Sequence, residues 1–206
     1  MDVNELLKRY AAGNRDFLHV SLQQANLGES RLAGINLGRS DLTRATLSAA
    51  NLRFVNLHEA ILVEANLWRA DLTAAILIWA NLSKANLIRA TLTKVDLHKS
   101  ILTKADMRLA DLRYADLSNA NLTGADLRYA DLTGANLAGA DLSKANLTGA
   151  KLKKADLYNV NFTKAILSRT NLRYADLSCI NLDGVDLDNA DLKGVNLPQS
   201  ILSQAN

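Results

Sequence analysis

From Leu22 to Leu202 a large apolar residue recurs at every fifth position without an insertion, and this spacing constrains the fold more than anything else in the chain. Of the 37 central positions 35 are Leu, the exceptions being Met107 and Phe162. Two residues earlier 24 of the 37 are Ala, and 27 of the 37 residues just before the central one are Asn or Asp, so the unit reads A-(D/N)-L-x-x. Neither regular element keeps such leucines together. In a strand, residues five apart point to opposite faces, and in a helix they lie about 140° apart. If the leucines share one core, the chain must turn a corner once per unit. Asn and Asp suit those corners because their short side chains hydrogen-bond nearby backbone.

Four corners would close a coil of about twenty residues, with Leu and Ala inside and three residues of each unit outside. The units themselves, ADLRYADLSNANLTGADLRYADLTGANLAGADLSKANLTGA at positions 110–150, resemble the pentapeptide repeat family. That resemblance implies an all-β solenoid, a right-handed quadrilateral β-helix; the spacing alone would also permit another polygon. The ladder makes about nine coils, a rod on the order of 45 Å long at about 4.8 Å per rung.

Residues 1–19 form a capping helix with its lead-in, and residues 20–206 carry the repeat. Asp2 and Glu5 have the spacing of a capping box. Val3, Leu6, Leu7, Tyr10 and Ala11 fall on one helical stripe, and Gly13 can end the helix in the left-handed conformation. The stripe is expected to cover the open end of the first coil, whose free edges otherwise invite association. The ladder stops mid-coil at NLPQSILSQAN with no such cover, so an end-to-end homodimer through the C-terminal coil, near Leu192–Leu202, is expected.

The net charge is +3, and no apolar run approaches the roughly 18 residues of a membrane span. There is no basic start followed by an apolar stretch, and a single cysteine, Cys179, suits a reducing compartment. These features predict a cytoplasmic protein with no membrane partner. No cofactor, metal or catalytic residue is expected. His58 and His98 fall on one side about 10 Å apart, too far to share an ion, and the coil splits Asp183, Asp186, Asp188 and Asp191 among different sides. Outward Ser and Thr residues have no His and carboxylate placed to activate them. The thiol of Cys179 reads as outward and inert. A solid leucine interior without long loops leaves no cleft, which argues against an enzyme.

Function must then lie on the outside. Grouping outward residues by position modulo twenty, the side centred on Leu32 and its successors carries nine basic residues against four acidic ones, while the next side, centred on Leu37, carries two against five. The basic side sets aromatics beside arginines at Arg53 and Phe54, Arg113 and Tyr114, Arg173 and Tyr174. Such pairs can hold nucleic acid or an acidic protein, but the carboxylates on the same side weaken the field, and nucleic acid is not the preferred partner. Large apolar residues occupy outward positions at Trp68, Ile76, Ile78, Trp79 and Ile88, a pattern typical of protein interfaces.

The opening MDVNELLKRYAAGNRDF, leading straight into the ladder, resembles cyanobacterial members of the family, among which a regulator of heterocyst differentiation acts by binding proteins. Other members look like B-form DNA and protect or inhibit DNA gyrase, but those are acidic rods with a C-terminal dimer module. The resemblance therefore implies a non-enzymatic interaction scaffold with a protein partner. A DNA-mimicking modulator of gyrase is the alternative.

Overall fold

The computed structural model describes residues 1–178, 180, 182 and 184–196. Helix α1 (Val3–Ala11) leads into a right-handed four-sided β-helix. Residues just before the central ones bridge in parallel to their counterparts twenty residues on, beginning with Asp16 and Asn36 and ending with Asp176 and Asn196; between Asp156 and Asp176, both described, the bridge is absent. A corner every five residues and a pitch of twenty give four sides, called here the Leu22, Leu27, Leu32 and Leu37 sides after their first central residues.

The five-residue unit accounts for all of its backbone donors. In the unit around Leu42, the central N–H donates to Ile61 of the next coil, and the N–H of Arg44 donates to Val63. Ala45 donates back across the corner to Leu42, and Asp41 donates to Val20 of the preceding coil. The fifth donor, on Thr43, reaches the Asp41 side chain at 2.9 Å. The Asn or Asp of the repeat is thus the acceptor for the one N–H that the coil cannot satisfy. Ile61, Ile76, Ile101 and Ile166 stand at that position without an acceptor, and each is exposed. Ile201 lies outside the described residues.

Each described corner is a β-turn whose third residue has positive φ, as in a type II turn. Gly124, Gly134, Gly139 and Gly149 sit there, but Trp79, Arg89, Leu109 and Tyr129 hold the same conformation at φ of 57° to 60°. A non-glycine residue there costs roughly 1 kcal/mol, so long side chains are thrown outward at some strain.

Inside, no central residue from Leu22 to Leu177 is more than 2% exposed. Where Ser or Thr replaces the corner Ala, the hydroxyl usually finds a carbonyl: Ser40 donates to Phe17 at 3.1 Å and Thr170 to Leu147 at 3.0 Å. The Ser100 hydroxyl, equally buried, has no partner.

The ladder opens at one step. On the Leu37 side the two backbone bonds expected between Leu157 and Asp176, and between Asp176 and Ala155, are absent among the described residues. A hollow of about 360 Å³ lies there, lined by Asp156, Leu157, Tyr158, Asp176, Ser178 and Ile180. Phe162 fills a Leu position and Ile180 an Ala position in the adjoining coils, so the core beside this step holds more volume than elsewhere, which is the condition under which overpacking parts neighbouring elements.

Helix α1 lies on the open first coil. Leu6 is buried, Tyr10 donates to the Ala33 carbonyl at 2.8 Å, and the Arg15 guanidinium stacks 3.9 Å from the Tyr10 ring. The expected capping box does not form: Asp2 occupies the N-cap, but its side chain makes no cap bond. Its backbone carbonyl accepts from Leu6 instead, and the docked helix does not need the cap. No helix among the described residues is long and apolar enough to cross a membrane.

Candidate interaction surfaces

The coil separates the large outward apolar residues into two patches on opposite sides. Trp68 and Ile88 stand on the Leu27 side, whereas Ile76, Ile78 and Trp79 stand on the Leu37 side two corners away. Trp68 is 40% exposed and Trp79 53%.

On the Leu27 side the twenty-residue pitch extends the patch along the rod. Ile88 is followed one coil on by Leu109, 47% exposed, and then by Tyr129. With Trp68 they make a stripe over four consecutive coils. Arginine flanks it throughout: Arg69 lies 5.2 Å from the Trp68 ring, and Arg89, Arg108 and Arg128 line a hollow of about 390 Å³ with Ile88, Leu109 and Tyr129. Arg108 and Arg128 are each bidentate on a carboxylate two residues back, Asp106 and Asp126, at 2.6–2.9 Å for their best contacts. Arg69 and Arg89 stand one place further along their units, three residues after Asn66 and Asn86, which offer no charge. The Tyr129 ring lies over Gly149 of the next coil, where a Cβ would come within 2.6 Å of it. Gly149 lets the ring lie down and leaves the space over Leu109 open.

Sequence reasoning named Trp68 and Ile88 but missed Leu109, Tyr129, Arg108 and Arg128. The signal was available: each is reached by adding twenty to a residue of the patch or to its flanking arginine.

On the Leu37 side Ile76 and Trp79 are exposed and Ile78 is half-buried. The Lys99 ammonium sits 4.8 Å from the Trp79 ring. In the neighbouring coils Arg39 meets Glu59 at 2.8 Å, holding that carboxylate below its ordinary range, and His58 reaches Glu59 at 2.9 Å.

The basic Leu32 side is sorted by its own carboxylates. Asp71 takes Arg53 at 3.4 Å, Asp111 takes Arg113 at 2.6 Å, Asp131 takes Lys151 at 3.3 Å and Asp191 takes Arg173 at 3.7 Å. Among the described residues this leaves Arg31, Lys94, Lys153, Lys154 and Lys193 without an ion pair on that side. Of the three arginine–aromatic pairs, Arg53 lies over Phe54 at 5.6 Å. Arg113 instead turns to Asp111, which raises its pKa, and Arg173 turns towards Asp191. Tyr114 and Tyr174 rest over Gly134 and Gly194 one coil on. At Arg113 and Arg173 the carboxylate within reach wins over the neighbouring ring, whereas Arg53 keeps both its ring and a long contact to Asp71.

One His, one Ser and one carboxylate do come together, contrary to the reading that none would. His98 Nδ1 lies 2.8 Å from Ser118 Oγ, and that hydroxyl donates to Asp116 at 2.6 Å. The serine proton already points at the carboxylate, so the imidazole is not placed to remove it. Among the described residues no group of three or more His, Cys, Asp or Glu could hold a metal ion. Cys179, Asp183 and much of the expected C-terminal dimer surface, Leu197–Leu202, lie outside the described residues.

A model of pentapeptide repeats matches residues 21–53, 50–87, 90–128, 125–163 and 165–204. Among solved structures, HetL, a pentapeptide repeat protein involved in heterocyst differentiation regulation from the cyanobacterium Nostoc sp. strain PCC 7120, is 36% identical. The match covers 95% of this chain and 94% of HetL, with a TM-score of 0.66. QnrB1, a plasmid-mediated fluoroquinolone resistance protein, is 24% identical over 91% of this chain and 94% of its own, with a TM-score of 0.47. No curated protein sequence matches.

Proposed function

Since the chain belongs to the pentapeptide repeat family, whose fold commits the leucines to the interior, we propose that it is a non-enzymatic scaffold that binds a protein through its outer faces. One observation carries this reading. Both tryptophans stand exposed on a rod whose central residues are buried, each with a cation against its ring, as interface anchors do. Large aromatic surface left in water gains nothing for the fold and becomes favourable when a partner covers it.

The likeness to Hetl's fold, at 36% identity over nearly the whole chain, supports a regulatory setting of the same kind. A DNA mimic would need a surface patterned with negative charge; here the net charge is +3, and among the described residues five cations on the Leu32 side form no ion pair. A supercoiling assay with purified gyrase is expected to show no effect of this protein.

The test is substitution of each tryptophan with alanine. Trp68→Ala and Trp79→Ala are expected to lose capture of the partner while thermal unfolding shifts little. Parallel loss of capture and stability would mean that the rings serve only to brace the coil.

A further inference from the structure

The scaffold reading leaves open what kind of protein surface docks and where, and the Leu27 side answers both. Resting on that reading, we propose that the hollow between Ile88 and Tyr129 takes an extended acidic segment of a partner protein. An apolar side chain of the segment packs over Leu109, and its carboxylates meet Arg69 and Arg89.

Charge complementarity singles out this occupant. Four arginines border the stripe and only two carboxylates answer them, Asp106 and Asp126, each gripped by its own arginine. Neighbouring acids are also spoken for. Glu64 is held by Arg44 at 2.8 Å and Lys84 at 3.6 Å, Asp71 by Arg53, and Asp111 by Arg113. Among the described residues Arg89 forms no ion pair, and it lines the hollow. A guanidinium in that position recognises a carboxylate by a two-pronged hydrogen bond.

The floor decides against nucleic acid. Ile88, Leu109 and Tyr129 offer apolar surface that a phosphate backbone would not cover, and among the described residues more of the cations without an ion pair lie on the Leu32 side than here. The length suits a short extended chain. Trp68 to Tyr129 spans three rungs, about 14 Å, which is the reach of about four extended residues. Specificity rests on Gly149, because any side chain there would drive the Tyr129 ring up into the hollow.

The test uses a fluorescein-labelled peptide of alternating Asp and Leu with blocked ends, followed by anisotropy against the full chain at low salt. Binding is expected to weaken about tenfold or more in Arg89→Glu and to be unchanged in Arg53→Glu on the adjoining side. Leu109→Gly is expected to lose binding without loss of stability, since residue 109 has φ of 59°, where glycine is at ease. The proposal is overturned if the peptide does not bind, if a plain poly-Asp peptide binds as tightly, if Arg89→Glu binds like the wild type, or if a single-stranded oligonucleotide displaces the peptide from this side. Should the peptide fail while Trp68→Ala and Trp79→Ala still abolish partner capture, the scaffold stands and only this assignment falls.

Discussion

The middle of the rod and the step between Asp156 and Asp176 are built from the same five-residue unit, yet one is sealed and the other gapes. Around Leu117 and Asn136 the coils are joined by a 2.7 Å bond; forty residues on, the equivalent bond from Leu157 to Asp176 is missing. The polar part of the unit is intact at both places, since Ser118 and Tyr158 each donate to the preceding Asp. What differs is core volume. The middle has Leu122 and Ala140 where the open step has Phe162 and Ile180. Continuity of this solenoid therefore depends on small residues at the inner corners rather than on its turn chemistry.

Transplanting the bulk should transplant the gap. Leu122→Phe with Ala140→Ile is expected to cost about 3 kcal/mol in chemical denaturation, and to speed amide exchange at Leu117. Phe162→Leu with Ile180→Ala should do the reverse, protecting the Leu157 amide and raising stability by about 1 kcal/mol, one regained hydrogen bond. If exchange at Leu157 does not slow, core volume is not what separates the coils.

The sealed region has a flaw of another kind in the unpaired Ser100 hydroxyl. Ser100→Ala is expected to stabilise by about 1 kcal/mol, whereas Ser40→Ala, which removes a bonded hydroxyl, is expected to cost a similar amount. Equal signs for the two would break the distinction.

The smallest effect is that of acid. The hydrogen bond from Arg44, and the charges of Arg44 and Lys84, lower the Glu64 pKa below its ordinary 4.5. Its contribution is complete above that value and is lost as pH falls through the lower folded one. Glu64→Gln should therefore show a shallower fall in Tm than the wild type when melts at pH 6 are compared with melts below about pH 4.

Most of the fold can be read from the unit. Period five, an apolar centre and a small residue before an acceptor leave the chain little choice but to close. The open step was also written in the sequence, in Phe162 followed by Ile180, but reading it required knowing how little room the inner corner has. The candidate site was legible in part. Trp68 and Ile88 stand out by size, while Leu109 and Tyr129 look unremarkable among ordinary leucines and tyrosines until the pitch places them in the column of Arg69 and Arg89, beside the first two. Contacts such as Arg113 choosing Asp111 over Tyr114, or Asp2 leaving its capping bond unmade, turn on competition among several partners within a few ångströms. No spacing rule resolves that.

Because nearly every unit repeats the same backbone bonds to the coils before and after it, register along the chain becomes the quantity that function depends on. Excising a single unit between Ile88 and Leu109 would keep each leucine inside and every corner intact. It would also carry Leu109 and Tyr129 a quarter turn around the axis, away from Trp68. A lesion of that kind would be silent to any probe of folding and would sever the docking stripe in two.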